Sequence, residues 1–293
     1  MVSVPVARPT QAPPARVSWP PIAWFGALLI LCYAPILYRM GVQWATDEDM
    51  GHGFFVPLLA GFIAWQRRDA LLATPRRPNG WGLFLVLFAA CEATAATLGA
   101  ELFTARLAFV IALFGVILYL GGKEWIKILL FPLLLLLFMI PIPQIIYARL
   151  TLSLQMLASR LGELLIGWMG IPVLRTGNLL ELPSQTLDIA DACSGIRSLL
   201  SLSFLSLIYA YFTDRRIWMR WALLIATVPI AIAANGIRVA VTGWLSERNT
   251  KLAQGAYHEM EGYLVFVVAL AALLITHRAI SLLAKKYGKV RVQ

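Results

Sequence analysis

The sequence predicts an all-α polytopic membrane protein, a bundle of about eight transmembrane helices with both termini inside. Three observations predict it. Apolar residues fill 60% and charged residues only 14% of the 293 positions, whereas soluble domains run near 25% charged. The mean hydropathy is +0.75. Apolar stretches near 20 residues, the length that crosses a hydrocarbon core of about 30 Å, recur along the whole chain rather than at one end. This composition excludes an ordinary cytosolic enzyme, a disordered chain, a collagen-like repeat and, with three cysteines, a disulfide scaffold.

In chain order, residues 1–21 carry two Arg, no acid and many Pro, and read as a flexible cytoplasmic leader. No small-residue cleavage site follows the first apolar run, which ends instead at Asp47, Glu48 and Asp49, so a cleaved signal peptide is not expected. Apolar windows between charged breaks place spans at 22–40, 54–66, 81–99, 102–120, 125–141, 196–212, 218–240 and 259–276. The second is short, and only Ala100 and Glu101 separate the third from the fourth. With the leader inside, 16 of the 25 Lys and Arg fall in the cytoplasm, among them Arg67, Arg68, Arg76, Arg77, Lys285 and Lys286. That bias sets the N-in, C-in orientation and accounts for the net charge of +10 without nucleic acid. Residues 22–276 form one transmembrane domain and 277–293 a basic cytoplasmic tail.

Between spans five and six lies an outer segment, 142–192, opened by the breakers Pro141 and Pro143. Its first part, QIIYARLTLSLQMLASRLGELLIGW, keeps a helical period interrupted by Arg149, Arg160 and Glu163, as expected of a helix lying in the outer interface. The stretch VLRTGNLLELPSQTLDIADA alternates instead, with Thr176-Gly177-Asn178 as a turn, and predicts a short hairpin.

The chemistry gathers at the outer ends of the last three spans. Cys193, in Asp191-Ala192-Cys193-Ser194-Gly195-Ile196-Arg197, falls where the sixth span begins. A helix start and a cation one turn on favour a thiolate there, whereas an inert helix-start cysteine is the plain alternative. Cys32 and Cys91 sit inside apolar helices, where cysteine behaves as a small hydrophobe. Arg238 ends a run free of other charge from Trp221 onward. Such a residue marks function, with snorkelling as the alternative, and Asn235 lies one turn earlier on the same face. His258 opens the eighth span; His52 begins the second, and His277 follows the last beside Arg278. Gly262 stands where HExxH would need its second histidine, and neither CxxC nor a glycine-rich phosphate loop occurs. Neither a metal nor a cofactor is therefore expected. A thiol, a guanidinium and an imidazole predicted at one depth on one side supply a nucleophile, a permanent cation and a base.

These residues carry a family resemblance. DACSGIRSL, ANGIRV and YHEMEGYLVF resemble three blocks of the exosortase/archaeosortase family, and GHGFFVPLLAGFIAWQRR its early HG-containing span, so that the similarity covers most of residues 40–276. The resemblance implies that Cys193, Arg238 and His258 are catalytic; beside them, Asn235 and Arg197 are candidates for further hydrogen bonds to substrate, with packing or interface anchoring as the alternative for each. It implies a bacterial inner-membrane cysteine transpeptidase with its active site on the periplasmic side. The substrates it implies are membrane-anchored proteins carrying a C-terminal motif of the Pro-Glu-Pro type (PEP-CTERM), a hydrophobic helix and a basic tail. These would be cleaved through a thioester acyl-enzyme and passed to an acceptor on a lipid or glycan. Two rivals stand beside it: a cysteine protease that only hydrolyses, and a transporter or exopolysaccharide-export subunit using Glu92, an isolated acid in the third span.

Overall fold

A computed structural model of the chain describes residues 19–189, 195–248 and 256–290. Among these, six helices are long and apolar enough to cross a membrane: Ile22–Thr46, Trp81–Leu98, Leu102–Gly121, Ile196–Thr213, Ile217–Arg248 and Met260–Lys286. The pair Lys123–Met139 and Gln144–Trp168 makes a seventh if read as one broken span. The protein is an all-α polytopic membrane protein. The predicted second span is a helix of 12 residues, about 18 Å long and short of a hydrocarbon core by itself. The fifth ends in a 3-10 turn, Leu136–Met139, ahead of Pro141 and Pro143.

Contacts divide the chain into two compact units. The first unit contains α1 (Trp19–Thr46), α2 (Phe55–Gln66), α3 (Arg68–Ala73), α4 (Trp81–Leu98), α5 (Leu102–Gly121) and α6 (Lys123–Leu135). The α4–α5 hairpin is closed by Ala100 at φ 55° and by Glu101, whose carboxylate accepts from the backbone N–H groups of Phe103 at 3.1 Å and Thr104 at 2.6 Å. This satisfies two of the free donors at the start of α5, and the Thr104 bonds hold the Glu101 carboxyl below the usual carboxylate range. Glycine lets the two backbones touch: a Cβ on Gly82 would lie 2.3 Å from the Tyr119 nitrogen. Arg106 of α5, only 5% exposed, donates to Oε1 of Gln43 in α1 at 2.7 Å. The Trp44 indole donates to the Met139 carbonyl at 2.9 Å and fixes the end of α1 against the turn after α6.

The second unit takes Glu48–Met50, from the 3-10 segment Glu48–Phe54, and everything from Ile142 on. Its helices are α7 (Gln144–Trp168), α8 (Ile196–Thr213), α9 (Ile217–Arg248) and α10 (Ala256–Val290). The interfacial-helix stretch is one continuous helix, α7. The alternating stretch after it goes one strand further than a hairpin. β1 (Leu174–Thr176), β2 (Leu179–Glu181) and β3 (Thr186–Asp188) form an antiparallel meander, with Thr176 opposite Leu179 and Glu181 opposite Thr186. Gly177, at φ 67°, turns the first corner as expected. Leu180 and Leu187 of the meander share a core with Ala158 and Ile166 of α7 and with Val239 and Ala240 of α9. An ion pair of Arg175 with Glu163 at 2.8 Å ties the same meander to α7, and hydrogen bonds donated by the Ser184 backbone N–H and hydroxyl to Glu247 tie it to α9.

Candidate active site

The second unit builds its polar centre on one face of α9. Asn235, Arg238 and Thr242 follow one another at helical spacings of three and four, and so share a face. Asn235 and Thr242 are buried and Arg238 is half-buried. Asn235 and Arg238 each meet a neighbouring element at a glycine, where the sequence has removed bulk.

Gly195 is the N-cap residue of α8 and has φ 67°. A Cβ there would meet Nδ2 of Asn235 at 2.7 Å, so the positive φ and the amide together require glycine at this position. The residue two places before it is Cys193. Asp191, Ala192, the predicted nucleophile Cys193 and Ser194 lie outside the described residues. Gly262 of α10 is the second opening: a Cβ on it would lie 3.3 Å from Cζ and Nη2 of Arg238, so the guanidinium lies against bare helix backbone. Position 258 is one turn earlier in the same helix; the side chain of His258 is likewise outside what is described. One face of α9 thus touches the residue two beyond Cys193 and the residue four beyond His258, from side chains one turn apart.

Arg197, in the first turn of α8, pairs with Glu48 at 2.6 Å and with Asp49 at 2.9 Å. Tyr147 of α7 donates to the same Asp49. Glu48–Met50 is thereby moored to α8 by the guanidinium that was a candidate for substrate binding, and to α7 by Tyr147. His52 lies in the 3-10 segment Glu48–Phe54. Cys32 and Cys91 are free thiols on α1 and α4.

Two features of this unit escaped the sequence reading. Glu261, 9% exposed in the first turns of α10, accepts a hydrogen bond from Thr242, whose hydroxyl is 3.0 Å from Oε1 and 2.9 Å from Oε2. Its signal was an acid placed inside an apolar span next to Gly262, in a stretch singled out for His258 and not for Glu261. The other feature surrounds His277, which the sequence places just after the last predicted span. Its Nδ1 is 2.9 Å from the Tyr209 hydroxyl and its Nε2 3.5 Å from Asp214, which Arg216 grips at 2.6 Å. Arg216 holds the Asp214 carboxyl far below the usual carboxylate range.

Among the described residues no three His, Cys, Asp or Glu are grouped as metal ligands. What the α9 face offers is a half-buried guanidinium against Gly262 and, one turn on, a hydroxyl bonded to the buried Glu261 carboxylate; a guanidinium can stabilise developing negative charge.

The family profile described as Transmembrane exosortase (Exosortase_EpsH) matches residues 44–275, most of the chain. Neither the curated proteins nor the solved structures yield a match. The matched range contains the Cys193 block, the α9 face and the start of α10, so family and geometry concern the same residues. Membership makes this a multi-pass sorting protein whose substrates are membrane-associated and carry sorting signals. The chain belongs to the transmembrane exosortase family.

Proposed function

We propose that the protein is a membrane-embedded cysteine transpeptidase of the bacterial inner membrane, working on the periplasmic side with Cys193 as nucleophile, His258 as base and Arg238 as oxyanion donor. The observation that supports this reading best is the α9 face, with Asn235 against Gly195 and Arg238 against Gly262 one helical turn apart.

The chemistry follows from the residue types. His258 takes the proton of the Cys193 thiol, and the sulfur attacks the scissile carbonyl of a substrate whose C-terminal helix lies beside the bundle. Arg238 donates to the oxygen as it becomes negative. The C–N bond breaks, the leaving amine takes the proton from His258, and a thioester remains. An acceptor amine or hydroxyl, on a lipid or glycan carrier, then gives its proton to His258 and attacks the thioester; the C–S bond breaks, and the proton returns to the released sulfur. Substrates bear a PEP-CTERM-like motif ahead of the hydrophobic helix and basic tail. Asn235 holds the backbone that leads out of the Cys193 block, and Arg197 keeps the Glu48–Met50 segment beside the start of α8.

The test co-expresses a signal-bearing reporter with wild-type, Cys193→Ser and Cys193→Ala enzymes. Loss of processing in both variants is expected, and normal processing in both removes the nucleophile. The mass of the mature reporter's C-terminus shows the second half of the reaction: an added group is expected, and a free carboxylate replaces transfer by hydrolysis.

A further inference from the structure

The first unit carries an open groove where α4 begins, α5 ends and α6 begins. Phe114 and Leu118 line it from α5, four residues apart and so on one stripe; Lys123, Ile126 and Lys127 line it from one face of α6. Asn79 and Trp81 complete it from the loop before α4 and the first residue of that helix. Its volume is about 470 Å³, within the range of small-molecule sites, about 300–1,000 Å³. Backbone contacts build it. Gly122, at φ 83°, turns the corner between α5 and α6, and a Cβ on it would lie 2.1 Å from the Arg77 carbonyl oxygen. The Arg77 N–H donates to the Gly121 carbonyl at 3.3 Å, which straps the loop carrying Asn79 to that corner.

The polar groups of the groove are donors. Oδ1 of Asn79 accepts from the Trp81 backbone N–H at 3.0 Å, and among the described residues the amide NH₂ is left for another acceptor. Lys123 has no ion pair among the described residues. Lys127 pairs with Glu124 at 2.8 Å, one turn away and well exposed on both sides, a kind of pair that holds its partners weakly. Two ammonium groups thus stand against one carboxylate. Their place is the membrane boundary, because one candidate span begins at Trp81 and another ends at Gly121. Phe114 lies seven residues before Gly121, about 10 Å deeper along α5.

A soluble anion would use the donors and leave the apolar lining bare, whereas a lipid uses both. We propose that this groove is a binding site for one anionic phospholipid. The phosphate is taken by Lys123, Lys127 and the Asn79 amide, and the first part of an acyl chain lies along Leu118, Phe114 and Ile126. Trp81, 68% exposed, sits at the level of the glycerol, where tryptophan is favoured. Charge selects the headgroup, since a zwitterionic lipid brings an ammonium of its own toward the two lysines. The lipid bridges the loop before α4 to the first turns of α6. Cys193, Arg238 and His258 play no part in it.

The test titrates the full-length protein, delipidated in detergent, with phosphatidylglycerol or with phosphatidylcholine of the same chains, and counts bound lipid by native mass spectrometry. Wild type is expected to hold one phosphatidylglycerol about tenfold more tightly than phosphatidylcholine. Lys123→Gln and Lys127→Gln should each weaken phosphatidylglycerol about fivefold, and together about 25-fold. Both side chains are exposed, so these variants keep the fold. Lys285→Gln with Lys286→Gln removes the same charge from α10 and should leave binding as in wild type. Glycerol phosphate in excess should not displace the lipid. Equal retention of the two lipids by wild type, retention of phosphatidylglycerol undiminished in the Lys123→Gln/Lys127→Gln protein, or an equal loss in the α10 double variant overturns the proposal. Displacement by glycerol phosphate also overturns it, because the apolar lining would then contribute nothing.

Discussion

Alanine at position 262 should make the protein no less stable and a worse enzyme. The added Cβ would sit 3.3 Å from Cζ and Nη2 of Arg238, where an ordinary contact is about 3.5–4.0 Å. The obstacle is the far end of a flexible side chain, so the guanidinium yields by roughly 0.2–0.5 Å and the helices stay where they are. Replacing glycine by alanine within a helix contributes about 1 kcal/mol in the other direction, which offsets the crowding. If Arg238 meets the oxyanion, a misplacement of 1 Å costs about 100-fold, so this shift lowers processing roughly 3- to 10-fold. The assay pairs the initial rate of cleavage of a signal-bearing reporter in proteoliposomes with a thermal unfolding curve in detergent. Reduced rate with an equal or higher Tm is the expected result, and Gly262→Val should deepen the loss. Unchanged cleavage by Gly262→Ala, alongside a collapse in Arg238→Lys, would refute the idea that the bare backbone of α10 is the seat of the guanidinium.

The same substitution at Gly162 should act in the opposite way, because its Cβ would lie 2.4 Å from Cγ1 of the buried Val239; Gly162→Ala is expected to cost about 1–3 kcal/mol of stability, read as a lower Tm. Glu101→Ala removes the cap of α5 and should cost about 1 kcal/mol, with Glu101→Asp recovering part of it in the same melting experiment. Asp214→Asn breaks the grip of Arg216 and loosens the turn between α8 and α9. The Asp214 carboxyl is depressed on folding, so its contribution is complete above the unfolded carboxylate value near pH 3.9 and is lost as pH falls below that. The Tm difference between wild type and Asp214→Asn should therefore be constant from about pH 5 to 7 and shrink toward pH 3; a difference that grows on acidification would contradict the pairing.

The helices were legible because their signal is local. Windows of apolar residues found α4 and α5 within a residue or two, even though Ala100 and Glu101 are all that divides them, since Glu101 is itself the cap that starts the second helix. β3 was missed for a physical reason. Thr-Leu-Asp is too short and polar to announce a strand, and it forms one because β2 offers an edge and Leu187 has a core to enter. In the site, Asn235 and Arg238 could be read from their spacing and from the absence of neighbouring charge. Their seats could not. That Gly195 makes room for Asn235 and Gly262 for Arg238 depends on pairings 40 and 24 residues apart in sequence, which periodicity does not encode. Glu261 was hidden in the same way, because an acid at a helix start is ordinary until Thr242 arrives from another helix.

The two faces of α9 divide its labour between polar contacts and close packing on α7. Gly236, Val239 and Gly243 lie about a third of a turn around the helix from Asn235, Arg238 and Thr242. A Cβ on Gly236 would be 2.6 Å from Cβ of Leu161, and one on Gly243 2.7 Å from Cδ1 of Ile166, while Val239 fills the notch at Gly162. Since lipid tails give helices no hydrophobic reason to associate, such close backbone approach is what binds α9 to α7. A helix seated that tightly has no room to rotate, and a rotation of about 20° at the radius of a guanidinium would move it by more than 1 Å, enough to cost two orders of magnitude in rate. If Arg238 meets the oxyanion as proposed, the packing face serves the reaction without touching substrate: it converts the stiffness of α7 and the meander behind it into the preorganisation that the guanidinium would need to meet a charge at the moment it forms.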